Sequence, residues 1–116
     1  MKSWRKWSAL DSTGVMAVPK DAKGVYVIRR TLGITDQDPS DLIYIGSSGK
    51  GAQGLGKRLR RLLNGKHSAA KRIKRFIRDG LQFSWFECQT PDGVEKALLL
   101  AFKVSTGKLP ACNKQF

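Results

Sequence analysis

The residues 49–58, "GKGAQGLGKR", are the first in the chain whose types and spacing suggest chemistry, since glycines ahead of a Lys-bearing helix can cradle phosphate. Read from Gly51 they form G-x-x-x-x-G-K, but Arg58 stands where a P-loop needs Ser or Thr to hold magnesium. A chain of 116 residues is also short for an ordinary P-loop nucleotidase, and no apolar strand ends in a metal-binding Asp. No nucleotide cofactor is therefore expected, although the N–H groups of such a loop still suit a nucleic-acid phosphate. The second candidate is Asp92-Gly93-Val94-Glu95. Its spacing is that of a capping box, in which Glu95 satisfies a backbone N–H. One of only two glutamates, Glu95 equally offers a hard carboxylate oxygen of the kind magnesium or manganese takes.

The charge is lopsided, with 22 Lys plus Arg against 9 Asp plus Glu and a formal net charge of +13. Half of the basic residues crowd between positions 50 and 78: Lys50, Lys57, Arg58, Arg60, Arg61, Lys66, Lys71, Arg72, Lys74, Arg75 and Arg78. Lys71, Lys74, Arg75 and Arg78 recur at i, i+3, i+4 and i+7, the spacing of one helix face. Without interleaved acids such a stripe repels itself, so neutralisation by nucleic-acid phosphates is the expected role. Two distant cysteines, Cys88 and Cys112, and one histidine, His67, give neither a zinc spacing nor a disulfide framework. With no signal-peptide core and no run long enough to span a bilayer, a cytoplasmic chain without membrane contact is expected.

The elements that must position these residues are legible. "GVYVIRR" (24–30) and "DLIYIGSS" (41–48) are rich in β-branched and aromatic residues and predict a hairpin across a long loop with Gly, Asp and Pro punctuation. Leu55, Leu59, Leu62 and Leu63 predict a helix that stops at Asn64-Gly65. A second helix is predicted from Ser68, with Ala69, Ile73, Phe76 and Ile77 on one face and Asp79-Gly80 at its end. "LQFSWFECQ" (81–89) reads as a third strand with Leu81, Phe83 and Trp85 on one side. A last helix carries Val94, Leu98, Ala101 and Phe102 inward and stops at Gly107. The expectation is one α+β domain, a small three-stranded antiparallel sheet flanked by helices in the order β-β-α-α-β-α. Residues 1–22 are read as an N-terminal extension to a core at 23–116. In that extension Trp4 and Trp7 either stack on unpaired bases or, more ordinarily, cap the core.

Gly24-Val25-Tyr26 on the first strand and Tyr44-Ile45-Gly46 on the second resemble the paired motifs of the GIY-YIG nuclease superfamily, which includes homing endonucleases and excision-repair incision domains. "LGKRL" with Arg58, then Glu95 opening the last helix and Asn113 near the end, follow in the family's order. The resemblance covers roughly residues 24–113. It implies a divalent-metal-dependent DNA endonuclease, with magnesium or manganese as cofactor and one active site per chain. Nicking is the default outcome, from a monomer or a DNA-induced dimer.

The resemblance also implies roles for particular residues. Glu95 would hold the metal, and Arg58 would neutralise transition-state charge in a bidentate way that lysine cannot reproduce. Tyr26 would act as general base, its phenol needing a nearby cation to fall from about 10. Tyr44 would hydrogen-bond the water or phosphate, and Asn113 would position the active-site loop. Arg29 falls where several relatives carry a proton-shuttling lysine, and His67 where homing endonucleases carry a histidine near the active site. Lys57, Arg61, Lys71, Lys74, Arg75 and Arg78 would join these two in contacting the nucleic-acid backbone. The spacer at 27–43 and the loop after Gly46 are both longer than is usual for the family. The alternative is a nucleic-acid-binding module that keeps the fold without turnover.

Overall fold

The computed structural model describes residues 4–36, 40–48 and 54–114. In chain order the elements are β1 (Ser8–Ala9), α1 (Ser12–Met16), β2 (Gly24–Arg30), β3 (Leu42–Ser47), α2 (Leu55–Leu63) and α3 (Ala70–Lys74). A 3-10 turn (Ile77–Asp79), β4 (Leu81–Glu87) and α4 (Pro91–Thr106) complete them. They build an α+β fold around one open antiparallel sheet with strand order β1-β4-β2-β3.

The sheet has four strands where the sequence predicted three. The additional strand, β1, is two residues long and carries no alternation to read, and it exists because β4 offers an open edge. Ser8 pairs with Phe83 and Ala9 with Gln82. Arg5 N–H donating to Trp85 O at 2.9 Å and Leu10 N–H donating to Leu81 O at 3.1 Å lengthen the contact. The helix α1 that follows was also unforeseen. Asp11 caps it by accepting from Gly14 N–H at 2.8 Å, and Val15 and Val18, just beyond it, are buried in the main core.

With partners on both edges and helices on both faces, β2 is buried almost throughout, which is why it reads as a continuous apolar run. Its front face joins Tyr26 and Ile28 to Tyr44, Phe83 and Trp85 beneath Leu55, Leu59, Leu62 and Ile73. Its back face joins Val25 and Val27 to Ile45 beneath Leu99 of α4. In the β2–β3 ladder Ile28 pairs with Tyr44 and Arg29 with Leu42, leaving Ile43 as a bulge. The bulge lets consecutive Ile43 and Tyr44 both reach the front core.

Two helices differ from expectation. The second is one turn and a half of α-helix, Ala70–Lys74, then the 3-10 turn, and Ile77 is 62% exposed. The cause is a tertiary anchor at its end: Asp79 O accepts from Thr31 N–H at 2.9 Å and Leu32 N–H at 2.8 Å, while Arg30 Nη1 lies 3.6 Å from the Asp79 carboxylate. The run of Lys71, Lys74, Arg75 and Arg78 is exposed but is not one helical stripe. In α4 the buried residues are Pro91 and Leu99, with Val94, Leu98 and Phe102 partly buried beside Leu99 and Ala101 exposed. The stops at Gly65 and Gly107 hold, both glycines lying in the left-handed region at φ 82° and 85°. Among the described residues no helix is long and apolar enough to cross a membrane.

Candidate active site

The front face of the hairpin places Tyr26 and Tyr44 side by side, with ring centroids 6.0 Å apart. Tyr26 fits because residue 46 is glycine: a Cβ built there would lie 2.5 Å from Tyr26 Cζ and 2.6 Å from its oxygen. Gly24 answers a different crowding, since a Cβ there would lie 2.0 Å from Phe86 O on β4. Each glycine of the two tripeptides thus has a packing reason of its own.

From the turn after α2, His67 reaches the same place. Its Nε2 lies 3.2 Å from Tyr26 Oη, and its ring meets Tyr44 edge-on at 6.0 Å. The other ring nitrogen, Nδ1, accepts the Ala69 N–H at 3.0 Å. An imidazole that accepts at Nδ1 carries its proton on Nε2, so His67 donates to the Tyr26 oxygen. Burial, then the charges of Arg58, Arg61 and Arg72, lower the pKa of His67 to about 4, so the ring is neutral at pH 7.

Arg58, from the first turn of α2, brings Nη2 to within 3.4 Å of the same His67 Nε2. Both atoms carry protons, so this is a meeting of donors and leaves the guanidinium unsatisfied. Its Nε is buried with no hydrogen-bond partner, and Arg58 forms no ion pair among the described residues. A cation so held suits an anion supplied from outside.

Glu95 stands in the second turn of α4 and enters no hydrogen bond or ion pair among the described residues. The capping-box geometry is absent: the helix starts two residues earlier than that pattern requires, with Thr90 rather than Asp92 as N-cap and Pro91 at its first position. Both phenols feel the carboxylate. Burial first, then the Tyr44 phenol, with a smaller contribution from Glu95, raise the pKa of Tyr26 well above its ordinary value, against the opposing charge of Arg58. For Tyr44, burial and then Glu95 act in the same upward direction. In the resting protein Tyr26 is a neutral phenol. An uncommitted carboxylate beside two phenols suits a single divalent cation that completes its shell with water and substrate oxygens. Among the described residues no group of three His, Cys, Asp or Glu side chains gathers into a denser metal site.

Other expected members lie elsewhere. Arg29 follows the alternation of β2 onto the back face, stacked over Trp7 at 4.0 Å and donating Nε–H to Gln82 Oε1 at 2.9 Å. It is separated from Tyr26 by the sheet. Asn113 spends its carboxamide on the free edge of β3, accepting Ile45 N–H at 3.0 Å and donating to Ile45 O at 2.9 Å, so it fastens the C-terminal tail. Trp4 packs edge-on against Phe86, with ring centroids 4.5 Å apart. Lys57, Arg61, Lys71, Lys74, Arg75 and Arg78 are exposed, and of these Arg61 is close enough for its charge to act on His67.

The glycine-rich stretch has a structural use at its described end. Leu55 N–H donates to Ala22 O at 2.8 Å and Gly56 N–H to Pro19 O at 3.2 Å, which occupies two donors that a phosphate cradle would need. A Cβ at Gly54 or Gly56 would strike the Lys20 or Val18 carbonyl oxygen at 2.2 or 2.7 Å. Residues 49–53 lie outside the described residues. Sequence reasoning missed Arg72, which is chemically indistinguishable from its basic neighbours in "KRIKR" but turns inward. No family model, curated protein or solved structure matches the chain.

Proposed function

We propose that the chain is a GIY-YIG-type endonuclease that hydrolyses nucleic-acid phosphodiester bonds with one divalent cation per site. The observation that carries this reading is the unsatisfied Arg58 guanidinium beside Tyr26, Tyr44 and His67, with an uncommitted Glu95 carboxylate in electrostatic reach of the phenols. Arg58 would receive the phosphoryl oxygens and stabilise the charge that grows on them. Glu95 would hold the cation, magnesium or manganese, whose chemistry is to acidify bound water and neutralise the phosphoryl group.

Within that scheme His67 is a fixed donor. Its Nδ1 is committed to Ala69 and its Nε2–H to Tyr26, so it orients the phenol and does not collect a proton from it. Tyr26 therefore acts as a base only when positive charge at Glu95 offsets the burial that keeps it neutral. Tyr44, slightly more open at 9% exposure, would meet incoming water or phosphate. The exposed basic residues from Lys57 to Arg78 would hold the backbone of DNA, the proposed partner, and make binding salt-dependent. Conversion of supercoiled plasmid to open circle in magnesium or manganese, and its loss in EDTA, tests the reading. Salt-sensitive binding without any metal-dependent product would favour the non-catalytic module instead.

A further inference from the structure

Arg72 is held on two sides by the backbones that frame the site. Its Nε–H donates to Cys112 O at 2.8 Å and its Nη1 to Ser68 O at 3.4 Å. Ser68 adjoins His67, and Cys112 is itself tied by its N–H to Ile43 O at 2.8 Å, next to Tyr44. The guanidinium is thus pinned between the chain segments that carry two members of the cluster. Among the described residues Nη2 makes no hydrogen bond and Arg72 forms no ion pair. An arginine fixed by carbonyls and lacking a carboxylate is a preorganised anion receptor. Its field reaches the cluster, since Arg72 acts alongside Arg58 on both His67 and Tyr44.

We propose that Arg58 and Arg72 form a two-phosphate clamp around His67, in which Arg58 takes the phosphate under attack and Arg72 takes its neighbour along the strand. This deepens the nuclease reading and rests on it for the role of the first phosphate. The ligand class is a nucleic-acid strand read through consecutive phosphates. The C-terminal tail, fastened to β3 by Cys112 and Asn113, is the part of the fold that fixes the second subsite.

His67 is the chain's sole histidine, so its imidazole resonances report on the clamp without ambiguity. The experiment follows them by NMR in EDTA while titrating inorganic phosphate or 5′-phosphorylated dithymidine, which carries two phosphates. The dinucleotide should bind at least about tenfold tighter than inorganic phosphate, the gain expected from one added charge-assisted contact. Arg72→Met should remove most of that advantage while changing phosphate affinity little, Arg58→Met should weaken both probes, and Lys108→Met, at an exposed lysine with no part in the site, should change neither. If Arg72→Met does not fold, Arg72→Lys carries the test, because it keeps the charge and loses the bond to Cys112. A fall in the advantage of at least about fivefold then supports the clamp. An undiminished advantage in the Arg72 variant, an equal loss in Lys108→Met, or no saturable shift of His67 with either probe overturns it. Because neither metal nor turnover enters, this result is independent of whether the chain cuts plasmid.

Discussion

Adding one methyl group at Gly46 should disable the site through Tyr26. The new Cβ would lie 2.5 Å from Tyr26 Cζ, 2.6 Å from Oη and 2.8 Å from Tyr44 Cε2. Carbon contacts relax to about 3.5 Å or more, so roughly 1 Å must be found. Tyr26 is fully buried and has no solvent side to swing toward, so the phenol shifts within the core and its 3.2 Å contact with His67 opens beyond hydrogen-bonding distance. Overpacking of this kind costs about 1–3 kcal/mol of stability. Misplacing a reacting group by about 1 Å costs on the order of a hundredfold in rate. Urea unfolding of Gly46→Ala should show a lower midpoint at unchanged slope, and nicking measured well below the unfolding transition should fall about a hundredfold. A variant that nicks at the wild-type rate and loses less than about 0.5 kcal/mol would refute the reasoning, because Tyr26 would then not be confined as described.

Acid should destabilise the fold through His67. Its folded pKa of about 4 lies below the usual 6.5, so between these values the unfolded chain binds the extra proton and stability falls as pH falls. The loss approaches about 3 kcal/mol by pH 4, and a His67→Gln variant should lack that component of the stability profile in urea titrations. Asn113→Ala removes both bonds to Ile45 and should cost about 1–3 kcal/mol in the same titrations. Arg29→Ala should leave nicking within about twofold of wild type while costing about 0.5–1 kcal/mol from its contact with Trp7. A large loss of activity there would contradict its assignment to the back face.

What the sequence made legible was whatever depends on periodicity or on local backbone rules. The three long strands, the helices α2 and α4 and the stops at Gly65 and Gly107 follow from alternation, helical spacing and glycine conformation. A two-residue strand has no period, so β1 surfaces only when β4 presents its edge. The second helix looked long because Phe76 and Ile77 continue its pattern. The ion pair of Arg30 with Asp79 and the bonds to Asp79 O bend the chain first, and those partners lie far away in sequence. Motif order singles out Tyr26, Tyr44 and Arg58 and a weaker likeness His67, and the structure brings these four side chains together. The place of Arg29 on the other face was already legible: it is an odd number of positions from Tyr26 on one strand and so faces the other way. Arg72 could not be singled out, because what distinguishes it is the carbonyl of Cys112, forty residues later in the chain.

The central claim is that Glu95 holds the metal on which cleavage depends, and the most direct measurement compares wild type with Glu95→Gln on supercoiled plasmid in magnesium. Gln conserves the shape of a side chain that makes no hydrogen bond among the described residues, so stability should be unchanged, while the hard anionic ligand is lost. The account predicts metal-dependent nicking by wild type and its loss in a variant that remains folded and still binds DNA. Equal nicking by the two proteins, or none by wild type on plasmid, single-stranded or branched DNA that it nevertheless binds, would contradict it.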